Sequence, residues 1–153
     1  MTFLTEARTM DIYFCGSISG GRNYVDTYQD IVEYLKSLGH RVLTEHVAHP
    51  KVLELENKFT DEYIYHRDIK MLEECQCVIA EVSTPSLGVG YEICYALSKK
   101  KPTLCLYLEG VFLTRMLIGN TSEGLVIKEY ESSDDWAEII DEFLDTVKKK
   151  GRF

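Results

Sequence analysis

Short apolar runs alternate along this chain with stretches in which apolar residues recur at spacings of three and four. Ile12 to Cys15 reads as a first strand, followed by a loop of Gly16, Ser17, Ile18, Ser19, Gly20 and Gly21. Tyr24, Tyr28, Ile31, Leu35 and Leu38 then mark one face of a helix, and Gly39 stands where a left-handed C-terminal cap belongs. Arg41 to Thr44 predicts a second strand, and the polar stretch Glu45 to Phe59 a long loop with some helix. Asp61 to Cys75 predicts a helix with a stripe of Ile64, Met71 or Leu72, and Cys75, in which Asp68 occupies an apolar position. Cys77 to Val82 is nearly continuous in apolar character, as a strand buried on both faces should be.

The loop Ser83 to Gly88 opens a helix running to about Lys99, and Thr103 to Leu108 gives a fourth strand. A short helix is expected over Val111 to Ile118 and a fifth strand over Leu125 to Tyr130. A final helix, capped by Ser132 or Ser133, carries the stripe Trp136, Ile140, Phe143, Val147. The run Lys148 to Lys150 suits the negative end of that helix. Strands alternating with helices imply an α/β fold: a doubly wound five-stranded parallel sheet, Rossmann-like or flavodoxin-like, of order 2-1-3-4-5. Its ligand crevice lies beyond the carboxyl ends of the first and third strands, so the Gly16–Gly21 and Ser83–Gly90 loops should face each other.

At 153 residues the chain has room for a single domain, expected over residues 11–147 between a flexible segment 1–10 and a basic tail 148–153. No stretch approaches the length of an apolar membrane span, and the first ten residues lack the pattern of a secretory signal, so a cytoplasmic, or else nuclear, protein with no membrane partner is expected. Five cysteines, an odd number, show neither a disulfide framework nor a zinc spacing; Cys15, Cys77 and Cys105 sit in apolar runs as small hydrophobes. A formal charge of −8 argues against a nucleic-acid polymer as partner.

The candidate chemistry lies in the two loops. Ser17, Gly20 and Arg22 offer a hydroxyl, close backbone approach and a two-donor fork for phosphate oxygens, although a tight strand-to-helix turn would use the same glycines. No Walker A lysine follows, and Glu45 lies too far along to be the acidic ribose partner of a dinucleotide fold. In Pro85-Ser-Leu-Gly-Val-Gly-Tyr-Glu92 a carboxylate stands in the first helical turn beside two glycines and Ser86, where an acid with a purely structural role would compete with an anionic ligand. Asp68 either forms a buried ion pair, with Arg67 or Arg22, or works beside Glu92 as the second carboxylate that glycosidic cleavage requires. Glu45, His46, His49 and His66 lack metal-ligand spacing, so no metal or cofactor is expected. Tyr63 and Tyr65 could stack on a base, against which stands core packing or surface exposure for at least one of them. Alternation leaves open whether Tyr13 reaches the crevice or fills core.

Taken together, Tyr13-Phe-Cys-Gly-Ser-Ile18, Gly20-Gly-Arg22, Leu43-Thr-Glu-His-Val47, Asp68, Glu81-Val82 and Pro85 to Glu92 resemble the 2′-deoxynucleoside 5′-phosphate N-hydrolases of the nucleoside 2-deoxyribosyltransferase family. The resemblance implies a retaining double displacement in which Glu92 attacks the anomeric carbon while Tyr13 and Asp68 position or activate nucleophile and sugar. It also implies a 5′-phosphate cradle of Ser17, Ile18 and Gly20 with Ser86 and Gly88, and a homodimer in which Thr114 completes the neighbouring site. Ser19 stands where mammalian hydrolases have arginine, and Thr114 where serine is usual; Arg22 is a candidate to replace the missing cation. A deoxyribosyltransferase, or a module that binds nucleotide monophosphates without turnover, remains the competing expectation.

Overall fold

The computed structural model describes residues 8–151, so residues 1–7 of the expected N-terminal segment and the last two of the tail lie outside the described residues. Five parallel strands form one sheet in the order β2-β1-β3-β4-β5: β1 Asp11–Cys15, β2 Arg41–Val42, β3 Cys77–Glu81, β4 Thr103–Leu108 and β5 Leu125–Tyr130. This is the order expected for a doubly wound sheet whose winding reverses between β1 and β3. Helices cover both faces. Ile12 and Phe14 of β1 point to one core with α1 (Val25–Ser37) and α6 (Ser133–Lys150), where Tyr28, Ile31, Leu35, Trp136 and Ile140 are buried. Tyr13 and Cys15, of opposite parity, enter a second core. Its other walls include Leu72 of α3 (Asp61–Glu74) and Val89, Ile93 and Ala96 of α4 (Leu87–Ser98).

Local chemistry sets the boundaries. Gly39, at φ +87°, ends α1 with bonds from its own N–H to Lys36 O and from His40 N–H to Leu35 O, leaving Leu38 at the exposed cap. β2 stops two residues earlier than periodicity suggests. Thr44 donates its hydroxyl to Phe14 O (2.7 Å) and accepts from Phe14 N (2.8 Å), so a side chain takes over the ladder position and frees the backbone to turn away. The stretch after it, expected as a loop with some helix, holds a 3-10 turn at Glu45–Ala48 and the short α2, Val52–Glu56. The fifth helix, α5, covers only Arg115–Ile118. Thr114 caps it by accepting from Met116 N (3.3 Å), so Val111 to Leu113 stay outside. Lys148 to Lys150 belong to α6 and not to a tail.

At the carboxyl end of β3, Glu81 is fully buried with no cation beside it among the described residues. Its oxygens accept from Ser83 N–H, Ser83 Oγ (3.1 Å) and Tyr130 Oη (2.7 Å), which ties β3 to β5 beneath the cleft.

Candidate active site

Both glycine loops lie at the carboxyl edge of the sheet, and they touch. A Cβ placed on Gly20 would stand 2.5 Å from Pro85 O and 2.9 Å from Ser17 Oγ, so only glycine permits this approach. Ser17 is completely buried, its Oγ has no partner among the described residues, and its N–H goes to Tyr28 Oη (3.1 Å). Ile18 is half-buried against the α1 core, whereas Ser19 and Gly20 are exposed. Across the gap, Ser86 caps α4 by accepting from Val89 N (3.4 Å). The preceding amides, those of Leu87 and Gly88, belong to the turn that has no intrahelical acceptors. Helix geometry and the partial positive charge at this end suit an anion there.

Glu92 is the sixth residue of α4, so it stands in the second turn and not the first. That extra half-turn matters, because it directs the carboxylate back over the carboxyl end of β1 instead of toward the helix start. The Tyr13 hydroxyl and the Cys15 thiol, two residues apart on the same face of β1, are the strand groups that act on it electrostatically. Burial pushes the Glu92 carboxyl up to about 7; the neighbouring Cys15 and Tyr13 groups and the charge of Arg67 oppose the rise, and the charge of Asp68 adds to it. Burial beside Glu92 drives the Tyr13 hydroxyl and the Cys15 thiol well above their ordinary ranges, so both stay protonated.

Asp68 is partly buried on α3, and of its two candidate partners Arg67 is the one it meets. Arg67 Nε donates to Asp68 Oδ1 (2.8 Å), while its Nη2 contacts Glu56 Oε1 (2.9 Å) and His46 Nε2 (3.2 Å). Glu56 and His46 come from the segment least legible in the sequence, and Glu56 Oε2 is left without a partner among the described residues. His46 is thus part of this ion-pair network; His49 Nδ1 accepts from Lys51 N (3.0 Å), and His66 lies edge-on to Tyr65. Tyr63 stacks on Phe59 (4.7 Å between centroids), and Tyr65 meets Tyr91 edge to face; both tyrosines are about half exposed.

Arg22 requires a correction. Its guanidinium donates to Ser17 O, Val47 O and His49 O, each at 2.8 Å, and its Nε is buried without a partner among the described residues. Either fork of a guanidinium includes Nη2, and both hydrogens of that nitrogen are committed to carbonyls. Arg22 therefore pins the β1 loop to the 3-10 turn and does not replace the cation missing at Ser19. The irregular backbone around residues 47–49 supplies carbonyls that need donors, and nothing in a linear sequence displays them.

The ionised Glu92 is costly to the fold, and the sign is fixed by the shift. Its carboxyl ionises near 4.5 when unfolded and about 7 when folded. Its contribution to stability is full below the first value and declines as pH rises through the second. Glu92→Gln, which removes the charge and nearly keeps the shape, is expected to be more stable than the parent by about 1–3 kcal/mol at pH 8.5 and no more stable at pH 4.5, as read by denaturant melts.

The family model described as nucleoside 2-deoxyribosyltransferase matches residues 12–129, from the first strand into the last. The chain belongs to that family. Its relatives in the family include a Methanosarcina mazei protein named as a putative 2′-deoxynucleoside 5′-phosphate N-hydrolase, 42% identical over 133 residues, 87% of this chain and 83% of the relative. Another is the 5-hydroxymethyl-dUMP N-hydrolase of Danio rerio, 40% identical over 143 residues, 92% and 99% of the two chains. A solved structure of the Clostridium botulinum CMP N-glycosidase BcmB shares the fold at a TM-score of 0.62 and 16% identity, covering 86% of this chain and 98% of that one.

Proposed function

We propose that this chain hydrolyses the N-glycosidic bond of 2′-deoxynucleoside 5′-monophosphates, giving free base and 2-deoxyribose 5-phosphate. The observation that supports this most is the placement of Glu92: a partly buried carboxylate whose ionisation is pushed up to about 7, with Tyr13 and Asp68 acting on it, beside two loops that present amides and hydroxyls to an anion. The identity to hydrolases that act on such nucleotides points the same way.

In this reading the phosphate rests on the amides and hydroxyls of Ser17 to Gly20 and of Ser86 and Gly88, which brings C1′ over Glu92. A Glu92 oxygen bonds to C1′ as the C1′–N bond breaks, and the electron pair leaves with the base, which takes up a proton. Water then attacks C1′, loses its proton, and releases deoxyribose 5-phosphate with Glu92 regenerated. Tyr13 orients the nucleophile, and Asp68, kept in place by Arg67, adds negative charge that favours the oxocarbenium-like transition state. Absence of a 2′-hydroxyl on the substrate makes that state easier to reach.

A product assay tests the reading. Each deoxynucleoside monophosphate and its unphosphorylated counterpart is incubated with and without a second free base, and the products are chromatographed. Free base plus deoxyribose 5-phosphate supports it. A new nucleoside would make the chain a transferase, and no turnover would make it a binding module.

The acid limb of kcat/KM is expected near pH 7, where Glu92 loses its proton. Because a substrate phosphate also titrates, at about pH 6, Asp68→Asn separates the two. Removing a negative charge that holds Glu92 up should move the limb to lower pH, with a fall in maximal rate on the order of 10²-fold. A limb that stays in place would assign it to the substrate.

A homodimer belongs to the same proposal. Thr114 lines an apolar cavity of about 500 Å³ between α4 and α5 together with Ser86 and Val89, and Phe112 and Met116 at its edge are 83% and 82% exposed. A second copy covering this patch would bring a hydroxyl toward the neighbouring phosphate site. Phe112→Glu is expected to sediment as a monomer with weakened phosphate binding; a parent chain that is already monomeric would dispose of the idea. All five cysteines are free, which suits a reducing compartment and favours the cytoplasm. Among the described residues no helix is long and apolar enough to cross a membrane.

A further inference from the structure

The loop after β1 is held in place by two side chains, Tyr28 and Arg22. Tyr28, fully buried near the start of α1, accepts the Ser17 N–H at its Oη (3.1 Å). Its ring meets Phe14 edge to face (5.7 Å between centroids) and lies so close to the loop that a Cβ on Gly16 would stand 2.7 Å from Tyr28 Cε2. Arg22 Nη1 donates to Ser17 O (2.8 Å), and its guanidinium carbon is 5.7 Å from the centre of the Tyr28 ring. The peptide groups on either side of Ser17 are therefore both fixed, one by its N–H and the other by its carbonyl. A trans peptide points its N–H opposite to its C=O, so holding Ser17 O also sets the direction of the Ile18 N–H. The next three amides in the chain are those of Ile18, Ser19 and Gly20, and none of them donates to a group among the described residues.

We propose that Tyr28 and Arg22 are positioning residues for the substrate phosphate: they clamp the peptides on both sides of Ser17, so that the amides of Ile18, Ser19 and Gly20 are aimed as a group and Ser17 offers a ligand its hydroxyl alone. The inference rests on the phosphate cradle of the proposed reaction. The Ser17 N–H is already taken by Tyr28, while its Oγ, buried and without a partner among the described residues, lies 2.9 Å from the place a Cβ on Gly20 would occupy. A loop with glycines at 16, 20 and 21 samples many backbone orientations unless something outside it sets them. Fixing the orientation before the ligand arrives takes that ordering out of the cost of binding. The Tyr28 hydroxyl stands on a rigid ring packed in the α1 core, so its reference is the core and not another loop. Arg22 ties the same residue to Val47 O and His49 O, which gives a second reference in the 3-10 turn and the residue that follows it.

The test measures kcat and KM separately for the parent, Tyr28→Phe and Arg22→Lys, with one deoxynucleoside monophosphate and its unphosphorylated counterpart. Tyr28→Phe keeps the ring and removes only the acceptor of the Ser17 N–H. KM for the monophosphate should rise on the order of three- to tenfold, while kcat and the KM of the unphosphorylated nucleoside change by less than about twofold. Inorganic phosphate, added as a competing ligand, should lose affinity by the same factor as the monophosphate. Arg22→Lys, which puts one nitrogen where the guanidinium has two facing the carbonyls, should move the same constants in the same direction, and it takes the place of Tyr28→Phe if that variant does not fold. A KM for the monophosphate that does not move, or a loss shared equally by both substrates, would reduce Tyr28 to core packing. A parent whose KM is indifferent to the 5′-phosphate would remove the cradle itself, whereas a parent that prefers the monophosphate, with Tyr28→Phe unchanged, removes only the present inference.

Discussion

Glu92→Ala is expected to lower kcat/KM for a deoxynucleoside monophosphate by on the order of 10⁴-fold or more while leaving the fold intact, as checked by steady-state kinetics beside a thermal melt. The size follows from the role. A group that forms the covalent bond has no substitute in the site, because Asp68 is engaged by Arg67 and the thiol of Cys15 stays protonated. Stability should not suffer, since the fold carries the ionised carboxylate at a cost. A variant that kept a tenth of the activity would remove Glu92 from bond formation and leave it an electrostatic part at most.

Gly20→Ala carries the second largest expectation. The added methyl would meet a backbone oxygen, Pro85 O at 2.5 Å, which cannot swing aside as a flexible side chain could. One of the two loops must shift, and both are parts of the proposed phosphate cradle. A displacement of about 1 Å at such a site costs on the order of 10²-fold. The loss should fall mainly on KM for phosphorylated substrates, with kcat changed far less, because Glu92, Tyr13 and Cys15 sit on β1 and α4 beneath the contact. Kinetics with monophosphate and unphosphorylated nucleoside side by side check this. An unchanged KM for the monophosphate would place the phosphate elsewhere.

Periodicity carried most of the architecture. The runs Ile12–Cys15 and Cys77–Val82, the alternation of strand and helix, and the sharp stop at Gly39 express burial and backbone freedom, which are local properties, and they suffice to order the sheet. Boundaries were lost where a side chain displaced a backbone partner, as Thr44 does at the end of β2. Within the site, the juxtaposition of the two loops followed from topology, and the proximity of Asp68 to Glu92 from a charge on an apolar stripe.

What escaped depends on contacts between distant segments. Arg22 faces carbonyls 25 and 27 residues further on, and Arg67 finds Glu56 and His46 in a stretch with no clear pattern. The turn of α4 that carries Glu92 hinged on one residue, the Ser86 cap, which sets Leu87 as the start.

The most direct test of the proposed chemistry is mass analysis of enzyme quenched during turnover of a deoxynucleoside monophosphate, followed by proteolysis and sequencing of the modified peptide. A mass increment of one deoxyribose 5-phosphate, carried on Glu92, is the predicted result. The same increment on any other residue would contradict it.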